Sequence, residues 1–466
     1  MRNKLSTLVV ALILFGIGLN AQEVKTDVRI NQYGQIVESV QLDAEARNSI
    51  LTFVSENENY KFWFDNRVYF DGGIFFDGWD KDDVVGVDEN TTFNPIGNGA
   101  TIRRARIAMK VVMHKNWYGE IDFDFSGSAT EIKDAYIKYT NDARDFNVKA
   151  GHFREGFSME TTTTSRYVTF IERSLISKFA PSRHLGLQVN YMKDKYLLVG
   201  GVHFNEQGGF EEVEFSQDAN KDNGTDEGYS FTGRAVFRPI IDNEKVIHIG
   251  AAASYRTPKT HLEVPNSYRF STRSISNVNR KKYLDTDDIS NVDNNTLWNV
   301  ELAGAYKNMM FQSEYINNDI KRLDDLSDVN LNGFYAQVGY LLGDGKYNYN
   351  KNEGEFTQVS RGSEKGELEV AFRFDYIDLN DEKAGVYGGS ANGYTLGFNY
   401  HINSNIKLVL DYSYLDHDRY ANGKGKLYVG HDVNGDLTKD PREVVEAKGK
   451  AGDDYGQLQM RIEIDF

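Results

Sequence analysis

The chain has 466 residues, a formal net charge of −16 at pH 7, 42 Gly, 28 Tyr, 28 Phe, 6 Pro and no Cys. The lack of Cys excludes disulfides, thiol nucleophiles and thiolate metal sites, and the acidic charge argues against nucleic acid as a partner. Many aromatic residues and glycines with few prolines are typical of a protein built from many β-strands.

The first 21 residues are predicted to be a secretory signal peptide. Arg2 and Lys4 precede an apolar run from Leu8 to Leu19, and Leu19-Asn20-Ala21 ends on a small residue suited to cleavage. A basic start, a short apolar run and a small-residue cleavage site together form an export signal. The pattern therefore predicts that the mature chain leaves the cytoplasm.

Residues 22–60 are predicted to form a short periplasmic extension before the first strand. Val37, Val40, Ala44 and Leu51 are weakly compatible with a helix. The segment is too short for a plug domain, which argues against an active transporter with a plugged lumen.

From residue 61 to residue 466 apolar and charged side chains alternate in sixteen segments. In the closing segment, Tyr455–Phe466, Leu458 and Met460 fall on one face and Arg461 on the other. Successive side chains of a strand point to opposite faces, so each segment has an apolar face and a polar face. The segments begin near residues 62, 101, 117, 131, 145, 185, 195, 229, 246, 296, 309, 332, 366, 391, 405 and 454.

These segments predict an all-β fold, a transmembrane antiparallel β-barrel of about 16 strands spanning residues 61–466. The predicted location is the outer membrane of a Gram-negative bacterium, with lipid and lipopolysaccharide around the barrel. The aromatic terminal residue Phe466 resembles the assembly signal of such proteins, so the barrel-assembly machinery is an expected partner. Sixteen strands also favour a water-filled lumen, since eight strands leave little open interior.

Short and long connections alternate along the chain, as a membrane barrel requires. Tight turns are predicted at 114–116, 192–194, 307–308 and 403–404, and long extracellular loops at 72–100, 154–184, 205–228, 257–295 and 416–453. The connection 343–365 departs from the rule because it is long but falls on the periplasmic side.

Strand parity assigns twelve basic and fourteen acidic side chains to the lumen. With a turn at 114–116, Lys110 lies opposite Glu120, and Arg106 lies opposite Asp124. Such pairs either form a structural ladder in the wall or contribute to selectivity as rings of charge. The basic residues are Arg67, Arg104, Arg106, Lys110, Lys138, Lys149, Arg234, Arg238, Arg256, Arg373, Lys407 and Arg461; the acidic residues are Asp65, Asp71, Glu120, Asp122, Asp124, Asp134, Glu301, Glu314, Glu367, Glu369, Asp375, Asp411, Glu463 and Asp465.

One block of about 90 residues carries a family resemblance. Its motifs are Arg103-Arg104-Ala105-Arg106-Ile107, Ile121-Asp122-Phe123-Asp124-Phe125, Lys133-Asp134-Ala135-Tyr136-Ile137, the run 151–160 (GHFREGFSME), the run 169–174 (TFIERS) and the run 181–186 (PSRHLG). The block resembles the phosphate-selective porin O/P family. The resemblance implies a sixteen-stranded barrel, usually trimeric, whose third loop folds into the lumen as a constriction. It also implies passive diffusion of anions, in some members phosphate or polyphosphate.

The predicted pore residues lie on the inward loop and on the neighbouring wall. Arginine binds phosphate and carboxylate through paired hydrogen bonds and keeps its charge. The loop segment Arg154–Ser177 contains no lysine, and Lys178 follows it. The structural alternative is that the loop arginines pair with Glu155, Glu160 and Glu172. The predicted pore residues are Arg154, Arg166, Arg173, Arg183, Arg104, Arg106, Lys110 and Lys149.

A calcium-loop pattern is a weak candidate metal site within residues 431–443. Its acidic and amide side chains have the right spacing, but position 6 holds Leu437 where such a loop needs glycine for its sharp turn. A solvated acidic loop is the alternative. We therefore predict no metal and no cofactor. The candidate residues are Asp432, Asn434, Asp436, Asp440 and Glu443.

The sequence predicts a homotrimeric outer-membrane porin through which small anions diffuse. Phosphate and polyphosphate are candidate solutes, and the chain is predicted not to be an enzyme because no catalytic motif appears. One alternative is a general or other-solute porin without phosphate selectivity. A second is a surface-binding outer-membrane protein without a channel, using loops 257–295 and 416–453. Open-pore conductance separates a porin from the surface-binding protein, and block by phosphate separates the two kinds of porin.

Overall fold

The computed structural model of the protein describes residues 27–77, 94–204, 221–222, 224, 227–258, 264, 266–446 and 451–466. The predicted signal peptide, residues 1–21, lies outside these residues. Among them, no helix is long and apolar enough to cross a membrane.

Sixteen antiparallel strands form one closed barrel in which each strand pairs with its neighbours along the chain. The last strand pairs with the first from Tyr455 opposite Asp77 to Asp465 opposite Arg67, which closes the sheet. The strands are β1 (Lys61–Asp77), β2 (Gly99–Met113), β3 (Trp117–Asp124), β4 (Glu131–Thr140), β5 (Phe146–Arg154), β6 (Arg183–Met192), β7 (Tyr196–His203), β8 (Ser230–Ile241), β9 (Lys245–Arg256), β10 (Val292–Tyr306), β11 (Met309–Arg322), β12 (Val329–Leu341), β13 (Glu367–Asp381), β14 (Val386–His401), β15 (Ile406–His417) and β16 (Tyr455–Asp465).

The predicted number and spacing of the strands are confirmed, and most predicted strand starts fall within two residues of the observed ones. The largest difference is at β14, which begins at 386 rather than near 391. Along β12 buried and exposed side chains alternate, with Phe334, Val338 and Tyr340 on the exposed side. This alternation follows from the pleat of a strand whose two faces meet different surroundings.

A β-bulge in β2 changes which residues face inward. Tyr69 pairs with Arg104, but the next residue, Phe70, pairs with Ile102, so Arg103 is the extra residue. A bulge of this kind re-aims a side chain. Arg103 consequently forms an ion pair with Glu172, as Nη2 lies 3.0 Å from Oε2. Strand parity alone did not assign Arg103 to the lumen.

The described part of the amino-terminal extension consists of two hairpins, so the prediction of a weak helix there is wrong. The first pairs Asp27–Ile30 with Ile36–Ser39, and the second pairs Asp43–Arg47 with Ile50–Val54. Asn48 and Ser49 have φ of 49° and 64°, which suits a two-residue hairpin turn. The second hairpin then pairs with the start of β1.

The four predicted tight turns are confirmed, and the long connections contain short elements of their own. Between β5 and β6 these are the α-helix Met159–Thr162 and two 3-10 helices, Ser165–Tyr167 and Leu175–Lys178. Three loop hairpins pair Ser271–Thr272 with Leu284–Asp285, Tyr349–Asn350 with Glu355–Phe356, and Gly430–His431 with Leu437–Thr438.

The β5–β6 loop, residues 155–182, contributes to the main apolar cluster. Its side chains Phe157, Leu175, Ile176 and Phe179 are buried together with wall residues such as Ile316 of β11. Fully burying a large apolar side chain contributes about 1.5–3 kcal/mol. The apolar contacts therefore hold this loop against strands on the opposite side of the barrel from β5 and β6.

Candidate pore site

Carboxylates on strands β11, β13 and β15, which we call the far wall, accept hydrogen bonds from the backbone of the β5–β6 loop. The backbone N–H groups of Met159 and Glu160 donate to Glu314 of β11 at 3.0 and 2.7 Å. In the same way Ile171 donates to Asp411 of β15 at 2.7 Å, and Leu175 donates to Asp375 of β13 at 3.1 Å. Hydrogen bonds to a charged acceptor are stronger than neutral ones.

The acidic side chains that strand parity assigns to the lumen therefore do not all line a cavity. Glu314, Asp375 and Asp411 belong to the predicted acidic set. Each is buried and accepts a hydrogen bond from a backbone N–H group of the loop. The N–H groups that they accept from are partial positive charges of the main chain. These three acids thus anchor the loop and do not line the cavities described below.

The inner cavity lies between the β5–β6 loop and strands β1–β8 and has a volume of about 350 Å³. Eight cationic side chains and six carboxylates line it. Six of the eight predicted pore residues are among them: Arg106, Lys110, Lys149, Arg154, Arg166 and Arg183. Arg67 and Arg234 also line the cavity, although sequence reasoning placed them in the lumen without naming them as pore residues.

Most cations of the inner cavity are paired with wall carboxylates. Arg183 Nη2 lies 2.8 Å from Asp134, and Arg106 Nε lies 2.8 Å from Asp124. Arg166 forms an ion pair with Asp65. The predicted cross-strand positions are confirmed, since Arg106 is opposite Asp124 and Lys110 is opposite Glu120.

Lys149 and Arg154 differ from those cations because their partners are neutral. Lys149 Nζ lies 5.0 Å from the centre of the Tyr136 ring and 5.1 Å from that of Phe153. Arg154 donates to backbone carbonyls of the β5–β6 loop, including Thr163 O at 3.0 Å. Within the part of the chain that the structure describes, neither forms an ion pair with a carboxylate. Neither positive charge is therefore cancelled by a carboxylate in direct contact.

The structural alternative, in which the loop arginines form ion pairs with Glu155, Glu160 and Glu172, is not seen among the described residues. Glu155 instead pairs with Arg256 at 2.9 Å and with His184 at 2.7 Å. Glu160 accepts from Ser174, and Glu172 pairs with Arg103. The bulge at Arg103 and the curvature of the loop, neither of which strand parity reveals, supply these other partners.

The outer cavity lies on the other side of the β5–β6 loop and has a volume of about 390 Å³. Its lining includes Arg173 together with Arg103, Lys178, Arg273 and Lys282, and its one lining carboxylate is that of Glu172. Burial lowers the pKa of Lys178, Glu172 opposes that shift, and the cations Arg103, Arg273 and Lys282 reinforce it. The cavity is thus strongly cationic.

Of the eight predicted pore residues, only Arg104 lines neither cavity. It is buried, and its guanidinium carbon lies 5.9 Å from the centre of the Tyr69 ring. The structure therefore divides the predicted set into six residues in the inner cavity, Arg173 in the outer cavity, and Arg104 within the wall between β1 and β3.

The long β12–β13 connection, residues 342–366, reaches the inner cavity from the side of the tight turns. Arg234 Nη2 donates to Gly354 O at 2.9 Å, and the Tyr349 hydroxyl bonds His248 at 2.7 Å. Gly354 has a φ of 70°, and a Cβ there would lie 3.0 Å from a Leu197 methyl group. The connection brings Glu355 and Glu353 into the cavity lining. Its unusual length was the one sequence signal for this arrangement.

The candidate calcium residues do not come together. Asp432 accepts from backbone N–H groups of its own turn, Asp440 pairs with Arg442, and Glu443 accepts from Thr438. Among described residues, the group of three side chains whose carboxylate oxygens all lie within 4.8 Å of one another is Glu120, Asp122 and Asp134. Each of these three has a basic partner, namely Lys110, Arg106 and Arg183 respectively.

Comparison with known proteins decides the family. The profile of the family described as "Phosphate-selective porin O and P" matches residues 80–435. The chain belongs to this family. It is therefore an outer-membrane porin of the anion-channel type, and both family and fold are those of channels rather than enzymes.

Two relatives and one solved structure are similar to the chain over most of its length. The porin is 26% identical to Porin O of Pseudomonas aeruginosa over 70% of its own chain and 79% of that protein. It is 24% identical to an uncharacterized protein of Caulobacter vibrioides over 69% of its chain and 64% of that protein. Among solved structures, OmpT of Vibrio cholerae shares the fold with a TM-score of 0.50 and 10% identity, covering 89% of this chain and 99% of that one.

Proposed function

We propose that this porin passes small anions by diffusion, with phosphate-type anions preferred, and that the β5–β6 loop forms the constriction. The observation that carries the proposal is that Lys149 and Arg154 face the inner cavity without a carboxylate partner. Preorganised cations in a narrow, weakly screened passage raise the local concentration of anions. The paired charges around them keep the passage hydrated and the wall rigid.

The arrangement of the acids supports the same preference. The far-wall carboxylates of Glu314, Asp375 and Asp411 are turned to the loop backbone, so they repel a passing anion less than free carboxylates would. An anion thus meets the cations of the outer cavity first and those of the inner cavity next. A phosphate can accept two hydrogen bonds from one guanidinium.

The test is a planar-bilayer recording on purified protein in a KCl gradient, with phosphate then added stepwise. An anion-selective reversal potential with block by phosphate supports the proposal. Anion-selective conductance without phosphate block supports a general or other-solute porin. A cation-selective pore, or no conductance by folded protein, would overturn it.

We also propose the partners expected of this class. The family resemblance predicts a homotrimer, and the aromatic terminal residue Phe466 predicts recognition by the barrel-assembly machinery. Exposed aromatic and aliphatic side chains around the barrel suit contact with outer-membrane lipid and lipopolysaccharide. Native mass spectrometry in detergent tests the trimer, and a monomeric mass would contradict it.

A further inference from the structure

Four aromatic rings form a line along the lumen wall, from the inner cavity toward the tight-turn end of the barrel. They belong to Trp63 of β1, Tyr118 of β3, Tyr136 of β4 and Phe153 of β5, and we call them the aromatic track. The ring centres lie 6.1 Å apart from Trp63 to Tyr118, 5.9 Å from Tyr118 to Tyr136 and 6.0 Å from Tyr136 to Phe153. Aromatic rings in contact have centres about 4.5–7 Å apart, so the line is unbroken.

The aromatic track leads out of the inner cavity on the lumen side of the strands. Tyr136 and Phe153 line that cavity, while Trp63 and Tyr118 lie near the ends of their strands beside the tight turn between β2 and β3. Strand parity puts Tyr118 on the same face as Glu120, which also lines the cavity. Phe153 is buried, and the other three rings are partly exposed. These three rings are therefore open to a solute that moves between the cavity and the tight-turn end.

Hydrogen bonds hold the two central rings of the track in place. The hydroxyl groups of Tyr118 and Tyr136 both donate to Glu120 Oε2, at 2.6 and 2.9 Å. Lysine ammonium groups lie near the same rings, with Lys138 Nζ 5.0 Å from the centre of Tyr118 and Lys149 Nζ 5.0 Å from that of Tyr136. A lysine has a flexible stem and can move aside. The rings thus stay fixed while the lysines adapt to a solute.

The lining of the inner cavity includes groups that a phosphate ion alone would not need. Six of its side chains are carboxylates, and Gln188, Asn190 and Asn352 add amide groups. A phosphate ion offers mainly acceptors and is repelled by carboxylates, whereas the hydroxyl groups of a sugar donate to carboxylates and amides. The C–H groups on the face of a sugar ring are apolar and can pack on an aromatic ring. Cavity and track together suit a solute with an anionic group, hydroxyl groups and a ring.

We propose that the aromatic track binds the ring of a phosphorylated sugar whose phosphate group is held by Lys149 and Arg154. This inference rests on the proposed function and names a solute class for the same cavity. The phosphate group contacts the two cations, while the sugar ring packs on Tyr136 and its hydroxyl groups donate to Glu120. Because neighbouring rings of the track lie 5.9–6.1 Å apart, the sugar can pass from one ring to the next without losing contact.

The test removes the two rings at the tight-turn end of the track. The track variant carries Trp63→Leu and Tyr118→Leu, and neither residue lines the inner cavity. The matched control carries Trp117→Leu and Tyr139→Leu, a second tryptophan–tyrosine contact with ring centres 5.0 Å apart, which pairs the same strands β3 and β4 on their outer face. Both variants are first checked for a folded barrel by their heat-dependent mobility in SDS gels.

Current block by glucose-6-phosphate, glycerol-3-phosphate and orthophosphate is then measured in bilayers of neutral lipid. Glycerol-3-phosphate carries a phosphate ester and hydroxyl groups but no ring. In the wild type, glucose-6-phosphate should block at about tenfold lower concentration than glycerol-3-phosphate, because it alone packs on the track. In the track variant this advantage should fall to about threefold or less, with orthophosphate block unchanged. The control variant should match the wild type for all three anions.

Three outcomes would overturn the inference. Equal block by glucose-6-phosphate and glycerol-3-phosphate in the wild type would show that the track binds no sugar ring. An advantage of glucose-6-phosphate that persists in full in the track variant, or that is lost equally in the control variant, would separate it from these ring faces. Block by unphosphorylated glucose as strong as that by glucose-6-phosphate would remove the phosphate group from recognition. Failure of the proposed function looks different, since the wild type itself would then show no anion-selective reversal potential.

Discussion

Lys149 and Arg154 show how a basic side chain in a charged wall keeps its charge available. Lys149 rests on two aromatic rings and Arg154 on backbone carbonyls, whereas Arg183 and Arg106 are paired with carboxylates. A partner without net charge fixes the position of the cation without cancelling its field at a distance. We propose that the two kinds of cation serve different purposes within one cavity.

We expect Lys149→Gln to reduce the anion preference of the pore, because it removes an uncompensated charge from the inner cavity. The reversal potential in a KCl gradient should move toward zero, with conductance still present. Lys138→Gln is the matched control, since Lys138 also lies 5.0 Å from a tyrosine ring, that of Tyr118, but does not line the cavity. Equal shifts in the two variants would contradict this assignment.

The carboxyl group of Glu355 should make ion preference depend on pH. Burial, reinforced by Glu353 and opposed by Arg234, raises the pKa of Glu355 to about 8. Below that pH the group is neutral, and above it a negative charge enters the inner cavity. Anion preference should therefore fall as the pH rises from 7 to 9.

Glu355→Gln should remove this fall, and Glu364→Gln, on the same connection but outside the cavity, should leave it in place. The measurement is the reversal potential at a series of pH values. A fall that persists in Glu355→Gln would assign it to another group.

At the scale of the elements, the strands were predictable and the segments inside the barrel were not. A period of two residues is a local property, so alternation alone located all sixteen strands. The bulge that turns Arg103 inward breaks that period by one residue, and the β12–β13 connection enters the cavity through long-range contacts such as that of Arg234 with Gly354. No local pattern encodes either feature.

The structure brings most of the predicted site residues together, and their role in the pore stays a prediction. Six of the eight pore residues share the inner cavity, because strand parity and the family motifs both apply there. The partners of Glu155 and Glu172 depend on the path of the β5–β6 loop, and sequence spacing does not determine that path. The helix expected within 22–60 failed because a two-residue turn at Asn48 and Ser49 favours a hairpin.

The anchoring of the β5–β6 loop on β11 can be tested through Glu314. Glu314→Gln replaces a carboxylate that accepts from two backbone N–H groups, at a cost of about 1–3 kcal/mol. A loosened loop should give a larger, noisier single-channel conductance with weaker anion preference. If Glu314 instead faced the solute, the same change would strengthen anion preference without added noise. Asp319→Asn, on the same strand but bonded to Asn330, is the control.

For the whole molecule, closure of the barrel depends on the seam between β1 and β16. Arg461 lies directly opposite Asp71 in the register, and its Nη2 is 2.8 Å from Asp71 Oδ2. Both side chains are almost fully buried. A buried pair of this kind contributes little relative to a neutral pair, but breaking it leaves an uncompensated charge.

We expect Arg461→Gln to destabilise the barrel by about 3–5 kcal/mol, since it leaves the buried Asp71 carboxylate without its cationic partner. The measurement is the temperature at which the folded band disappears in SDS gels. The double variant Arg461→Gln with Asp71→Asn should recover much of the loss, because no charge is then left unpaired. A double variant as unstable as the single one would contradict this account of the seam.

The use of main-chain N–H groups to occupy the far-wall acids has a consequence for how this porin could diversify. The hydrogen bonds that the loop donates to Glu314, Asp375 and Asp411 depend on the path of the loop backbone and not on which side chains the loop carries. Substitutions of loop side chains could therefore change the preferred solute while those acids keep their hydrogen bonds to the loop backbone. Insertions or deletions, which shift the backbone, would remove the loop N–H donors from all three carboxylates together, and only Asp375 would keep an ion pair with its own strand, through Arg373.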